Sequence, residues 1–141
     1  MSDIRYKQRF QNFYSAFNLL NSELENRGIK DFSDLELEGL AQRFEYTFEL
    51  GWKLFKDYLE YNEVYLEETF PRKVIKECAN IGIFTKANMN PEIYLDMLSS
   101  RNKLSHLYDN EEFTKVMYKV KDTYIIELKK QVAFFMKLTN E

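Results

Sequence analysis

Over most of its length the chain repeats apolar side chains at intervals of three and four residues, a spacing that admits little besides α-helix. Phe10, Phe13, Phe17, Leu20 and Leu24 form one such stripe and predict a helix over residues 4–26. A second stripe, Leu37, Leu40, Phe44, Phe48, Trp52, Phe55 and Leu59, predicts a helix from Asp34 to Tyr61. Between them Arg27-Gly28 ends the first helix, with Gly28 suited to the left-handed conformation of a C-cap. Asp31 or Ser33-Asp34 offers N-cap oxygens to the second. Thr69-Phe70-Pro71 reads as a cap with proline in the first turn, so a short helix follows over residues 71–81 and stops at Ile81-Gly82. Asn90-Pro91-Glu92 opens another, carrying Tyr94, Met97, Leu98, Arg101 and Leu104. After Asp109-Asn110, a stripe from Phe113 through Val116, Val120, Tyr124, Leu128 and Val132 to Phe135 defines a long last helix. With Gly 4 and Pro 2 in 141 residues, the many hairpins of a β-sandwich have too few turn residues to form. The expectation is an all-α bundle of about five helices, three of them long, with short and mostly antiparallel connections.

The length suits one domain, residues 1–141, able to bury a core without disulfides. Phe 12 and Tyr 10 imply that this core is built from large rings. Trp52, Phe44 and Phe48 could stack on a base, but at helical spacing they read first as core. Gly51 lies inside the second stripe, where glycine costs about 1 kcal/mol against alanine, so a close helix approach is expected there. Cys78 is the single cysteine, set near Val74, Ile75 and Ile81, and reads as a small core residue rather than a nucleophile. No apolar run reaches the length of a membrane span, and the chain opens Met1-Ser2-Asp3-Ile4-Arg5 without a signal-peptide pattern. A cytoplasmic protein without membrane contact is expected.

The net charge of -3 is unevenly spread. Residues 31–70 hold Arg43, Lys53 and Lys56 against eleven acids, while the flanking segments are slightly basic. This is a solvated acidic face or a docking surface for a basic partner. Either way the chain lacks the basic stripe of a strong, non-specific nucleic-acid binder.

Chemistry concentrates in the run Arg101-Asn102-Lys103-Leu104-Ser105-His106-Leu107-Tyr108, which holds the one histidine. Histidine is the side chain whose unperturbed pKa suits acid–base work at neutral pH, and arginine offers a permanent forked cation for phosphate. On an ideal helix Arg101, Ser105 and Tyr108 fall within about 60° of one another, whereas Arg101 and His106 diverge by about 140°. The helix must therefore kink or end near His106, or a second copy of the chain must complete the site. The chemistry that suits these groups is metal-independent RNA cleavage. His106 would move the proton of a ribose 2′-hydroxyl or of the leaving oxygen, Arg101 would stabilise the phosphorane charge, and Asn102 would orient the imidazole or bind phosphate. Against this stands a plainer role for His106, capping the carbonyls at a helix end. Glu45 and Glu49 form an i, i+4 pair with Lys53 continuing the row; they are surface partners, or they line the cleft and orient Arg101. No second histidine supports a metal there, and no cofactor is expected.

The pattern Arg101-Asn102-x-x-x-His106-x-Tyr108 resembles the Arg-x4-His-x-Tyr signature of HEPN-domain proteins. The run Arg43-Phe44-Glu45-Tyr46-Thr47-Phe48-Glu49-Leu50-Gly51-Trp52-Lys53 resembles the nucleotidyltransferase substrate-binding, HepT-like branch, and the likeness extends over nearly the whole chain. The resemblance implies a four-helix up-and-down core and a two-fold homodimer with the motif helices facing across the interface. It also implies a small, separately encoded nucleotidyltransferase as partner, often in a toxin–antitoxin pair, with a nucleotide or RNA as ligand. Carried over, Arg101, His106 and Asn102 are catalytic candidates of a possible endoribonuclease. Tyr108 is the candidate acceptor of a nucleotidyl group; Glu45, Glu49 and Ser105, from their own placement, are candidates to support the cleft.

Overall fold

The computed structural model describes residues 2–106 and 109–140. The helices are α1 (Ser2–Asn26), α2 (Asp34–Tyr61), α3 (Pro71–Asn80), α4 (Ile83–Lys86), α5 (Pro91–Leu104), α6 (Asn110–Lys119) and α7 (Ile125–Thr139). A π-helical segment, Val120–Tyr124, joins α6 to α7 in one unbroken rod, and a 3-10 turn, Ile29–Asp31, precedes α2. The described residues are helical with no strand, as the apolar spacing predicts.

Helix directions follow from which residues meet. Arg5 and Arg9, at the start of α1, pair with Glu60 and Asp57 at the end of α2, while Arg43 donates to the Leu19 carbonyl. The two helices therefore run antiparallel. Phe48 and Phe55 of α2 pack on Tyr94 of α5, and Glu49 meets Arg101, so α5 runs against α2. Tyr94, Ser100 and Asn90 of α5 meet Gln131, Tyr124 and Glu127, which sets α6–α7 against α5. Lys121 reaches the Leu24 and Arg27 carbonyls, and Phe135 packs on Phe10, closing the ring back onto α1. The result is a four-membered up-and-down bundle. The short α3 and α4 bridge α2 and α5 and pack on both through Val74, Ile75, Cys78 and Phe84.

Local signals account for the ends. Ser33 caps α2 by accepting the Glu36 amide at 3.1 Å, and the Glu36 carboxylate accepts the Ser33 amide at 2.9 Å in return. Thr69 gives α3 no cap; Phe70 occupies that position without a side-chain bond, and Pro71 opens the helix. Gly28 departs from expectation. It is extended, at φ -75° and ψ 160°, because the chain enters the 3-10 turn there and the Gly28 amide is taken by the Asp31 carboxylate. The left-handed glycine is Gly82, at φ 89°, just past α3. The sequence also gives no warning of α4 or of the π-helical segment. Lys121 lies on that segment, and its ammonium neutralises the carbonyl end of α1.

Phe44, Phe48 and Trp52 are buried, so their ring faces are part of the core. Cys78 is buried as well, and burial pushes its thiol far above the ordinary range, which leaves it inert. The acids of α2 are largely met from within: Glu36 by Arg27, Glu49 by Arg101, Asp57 by Arg9 and Glu60 by Arg5.

Gly51 marks the tightest point. A Cβ at this position would lie 2.5 Å from the Tyr94 hydroxyl, 3.1 Å from Gln131 Oε1 and 3.1 Å from Phe13 Cε1, so α1, α2, α5 and α7 converge here. The Tyr94 hydroxyl donates to Gln131 Oε1 at 2.6 Å, and Gln131 Nε2 donates to the Gly51 carbonyl at 2.9 Å. Gly51→Ala is expected to lower stability by about 2 kcal/mol, overpacking outweighing the better helix propensity of alanine. In a thermal or urea titration, Gly51→Ala with Tyr94→Phe should lose less than the two single changes summed, since removing the hydroxyl makes room. Strict additivity would show that the Tyr94 approach is not what requires glycine.

Candidate functional site

The end of α5 is held in place along the whole helix behind it. Asn90 caps α5 by accepting the Glu92 amide at 2.9 Å and gives its own amide to the buried Glu127 at 3.0 Å. Tyr94 is locked to Gln131 one turn on. Nearer the end, the Tyr124 hydroxyl lies 2.6 Å from Ser100 Oγ and donates to Asp96 Oδ2 at 2.5 Å. Burial, with the Asp96 carboxylate beside it, pushes the Tyr124 hydroxyl far above its ordinary range, so it stays a proton donor. The residues from Arg101 onward thus project from a helix with little freedom to slide.

Helix α5 stops at Leu104, with Ser105 as its C-cap, and the His106 amide turns back to the Lys103 carbonyl at 2.9 Å. His106 therefore lies in the turn after the helix, exposed to solvent. Of the ways to reconcile Arg101 with His106, the structure takes the helix end. That alone does not unite them. Arg101 opens onto a hollow of about 490 Å³ that it lines with Gln42, Glu45, Tyr46, Glu49 and Ser105. His106 lines a different hollow of about 390 Å³ with Arg72, Ser99, Asn102 and Lys103. Asn102 links the two sides, its Oδ1 accepting from Arg101 Nη1 at 3.1 Å while the residue lines the His106 hollow. Tyr108 lies outside the described residues.

Charge differs between the two sides. On the α2 side, Arg101 Nη2 meets Glu49 Oε2 at 2.5 Å, and Glu49 also lies 3.6 Å from Lys53. Glu45 sits beside them, half-buried; burial pushes its carboxyl above the ordinary glutamate range, and the Arg101 charge offsets part of that. On the α3 side, the lining residues include Arg72, Lys103 and His106 and no carboxylate. Among the described residues no group of three or more His, Cys, Asp or Glu is placed to hold a metal ion. Ser99, Lys103 and Arg72 were not singled out by sequence reasoning. The first two were within its reach, because positions 99, 102, 103 and 106 fall on one helix face. Arg72 arrives from α3 through the tertiary fold and leaves no such trace.

The molecule is an up-and-down helical bundle that carries an arginine, an asparagine and a histidine at the end of one helix. The family described as nucleotidyltransferase substrate binding protein like matches residues 8–137, and the chain belongs to it. No curated protein matches the chain. No helix among the described residues is long and apolar enough to cross a membrane.

The half-buried Glu45 carries a pH signature. The folded chain holds the Glu45 proton to higher pH than the unfolded chain, so stability falls as pH rises through that window. Glu45→Gln should raise the melting temperature at neutral pH. The gain should vanish below the ordinary glutamate pKa of about 4.3, where the carboxyl is protonated in both states. An equal gain at both pH values would assign the effect to something other than charge.

Proposed function

We propose that this chain is a HepT-like HEPN protein, the homodimeric substrate-binding and partner subunit of a small, separately encoded nucleotidyltransferase in a toxin–antitoxin-type pair. The family match over residues 8–137 carries this reading. The homodimer is supported by the separation of Arg101 and His106 into different hollows. A phosphate gripped by both groups needs a second copy, and a two-fold axis would set one chain's Arg101 beside its partner's motif turn. Coexpression with a small nucleotidyltransferase from the same genome should give a co-eluting complex containing two copies of this chain by light scattering. Intact-mass analysis of that complex should show nucleotidyl-sized additions that disappear in Tyr108→Phe. A chain that elutes as a lone monomer, unmodified, overturns the reading.

The second reading is a metal-independent endoribonuclease. It is favoured by the exposed His106 beside Asn102 in a hollow with no carboxylate among its lining residues. There the imidazole takes the 2′-hydroxyl proton, the 2′-oxygen attacks the adjacent phosphorus, and the bond to the 5′-oxygen breaks as that oxygen takes a proton from water. The products are a 2′,3′-cyclic phosphate and a 5′-hydroxyl end. Arg101 of the dimer stabilises the charge on the equatorial oxygens. Cleavage should persist in EDTA and fall by about 10²–10⁴-fold in His106→Ala. Undiminished cleavage by that variant removes His106 from the mechanism.

A further inference from the structure

The hollow between α3 and the end of α5 contains cations that no carboxylate among the described residues neutralises. Arg5, Arg9, Arg27 and Arg101 each meet a carboxylate, and Arg43 donates to the Leu19 carbonyl at 2.9 Å. Among the described residues Arg72 does neither, and Lys103 likewise has no ion-pair partner. Both are exposed, and together they line the hollow of about 390 Å³ that holds Ser99, Asn102 and His106. Its lining therefore offers a guanidinium, an ammonium, an imidazole, a carboxamide and a hydroxyl, all able to donate hydrogen bonds and none of them anionic. That donor set fits the oxygens of a phosphate ester. Arg101, the cation that the motif would assign to phosphate, is occupied by Glu49 at 2.5 Å.

The shape of the hollow narrows the ligand. It is open to solvent, and among the described residues its lining holds no phenyl, phenol, indole or aliphatic side chain, so it offers no enclosed apolar pocket for the base of a mononucleotide. The exposed cations of the lining favour contacts with phosphates along a chain. We propose that this hollow is a phosphate-binding subsite for the backbone of single-stranded RNA, with Arg72 and Lys103 holding the phosphate next to the one that faces His106. The assignment deepens the ribonuclease reading and rests on it for the fate of the RNA, but binding can be measured without cleavage.

A fluorescein-labelled 2′-O-methyl RNA oligonucleotide lacks the nucleophilic hydroxyl and stays intact, so anisotropy reports binding alone. Arg72→Gln and Lys103→Gln should each weaken binding about fivefold or more at low salt. The pair together should reduce the slope of log K against log salt by about 1.4, since each phosphate contact on a single strand contributes about 0.7. Lys137→Gln, an exposed lysine at the far end of α7, should bind as the unaltered protein does. The proposal is overturned if the unaltered protein does not bind, if the Arg72 and Lys103 variants bind undiminished, or if Lys137→Gln is weakened equally. It is also overturned if ATP displaces the oligonucleotide at equal concentration, which would make a mononucleotide the ligand. Binding that depends on Arg72 in a protein that fails to cut RNA leaves the subsite standing and removes the ribonuclease reading.

Discussion

Tyr94 reaches the backbone of α2 because residue 51 has no side chain, and the bundle is organised around that approach. Its hydroxyl needs a partner once buried, and Gln131 supplies one while returning a bond to the Gly51 carbonyl. Each polar atom in this small network satisfies another across a helix boundary, so α2, α5 and α7 are fixed in register as well as in distance. Around it Phe48, Phe55, Phe84 and Phe135 pack at centroid separations of 5.2–5.7 Å, filling the space that the glycine does not. Apolar stripes alone would allow neighbouring helices to slide by a turn. A closed polar contact in a dry interior does not, since a slip would leave buried donors and acceptors unpaired.

That fixed register is what gives the end of α5 its chemical character. The helix is tied to α6–α7 at Asn90, Tyr94, Asp96 and Ser100, so its last turn emerges at a set height between α2 and α3. On the α2 side it meets Glu45 and Glu49; on the α3 side it meets Arg72. One short segment thus divides an acidic surface from a basic one. The acidic side occupies Arg101, and the basic side leaves His106 among hydrogen-bond donors.

The acidic excess of α2 takes on a different meaning in the folded chain. Read along the sequence it is a solvated face or a docking surface. In the bundle, α1 supplies Arg5 and Arg9, the residue after it supplies Arg27, and α5 supplies Arg101, so much of that charge is matched by neighbouring segments. The exposed pairs among them contribute little each, about 0–1 kcal/mol, whereas Arg9–Asp57 compensates a buried carboxylate. Their effect is chiefly to favour the antiparallel pairing of α1 with α2 over the alternatives.

How much of this was legible follows from the range of each interaction. Apolar spacing located α1, α2, α3, α5 and the last long helix because periodicity is local and repeats every turn. Capping residues narrowed the start of α2 to Asp31 or Ser33-Asp34, of which Ser33 is the cap that forms, and placed the start of α5 at Asn90. Gly51 could be singled out as a close approach, but not Tyr94 as the group that approaches, because that pairing joins residues far apart in sequence. The left-handed turn was expected at Gly28 and lies at Gly82, since a glycine permits such a turn without requiring it. The pattern Arg101, Asn102, His106 singled out a candidate site at the end of α5 and implied that a straight helix could not join its parts, and the helix does end at Leu104. Only the tertiary structure decided that Arg101 faces Glu49 while His106 faces Arg72. Helical geometry sets which residues share a face; what that face meets is set by how whole helices pack.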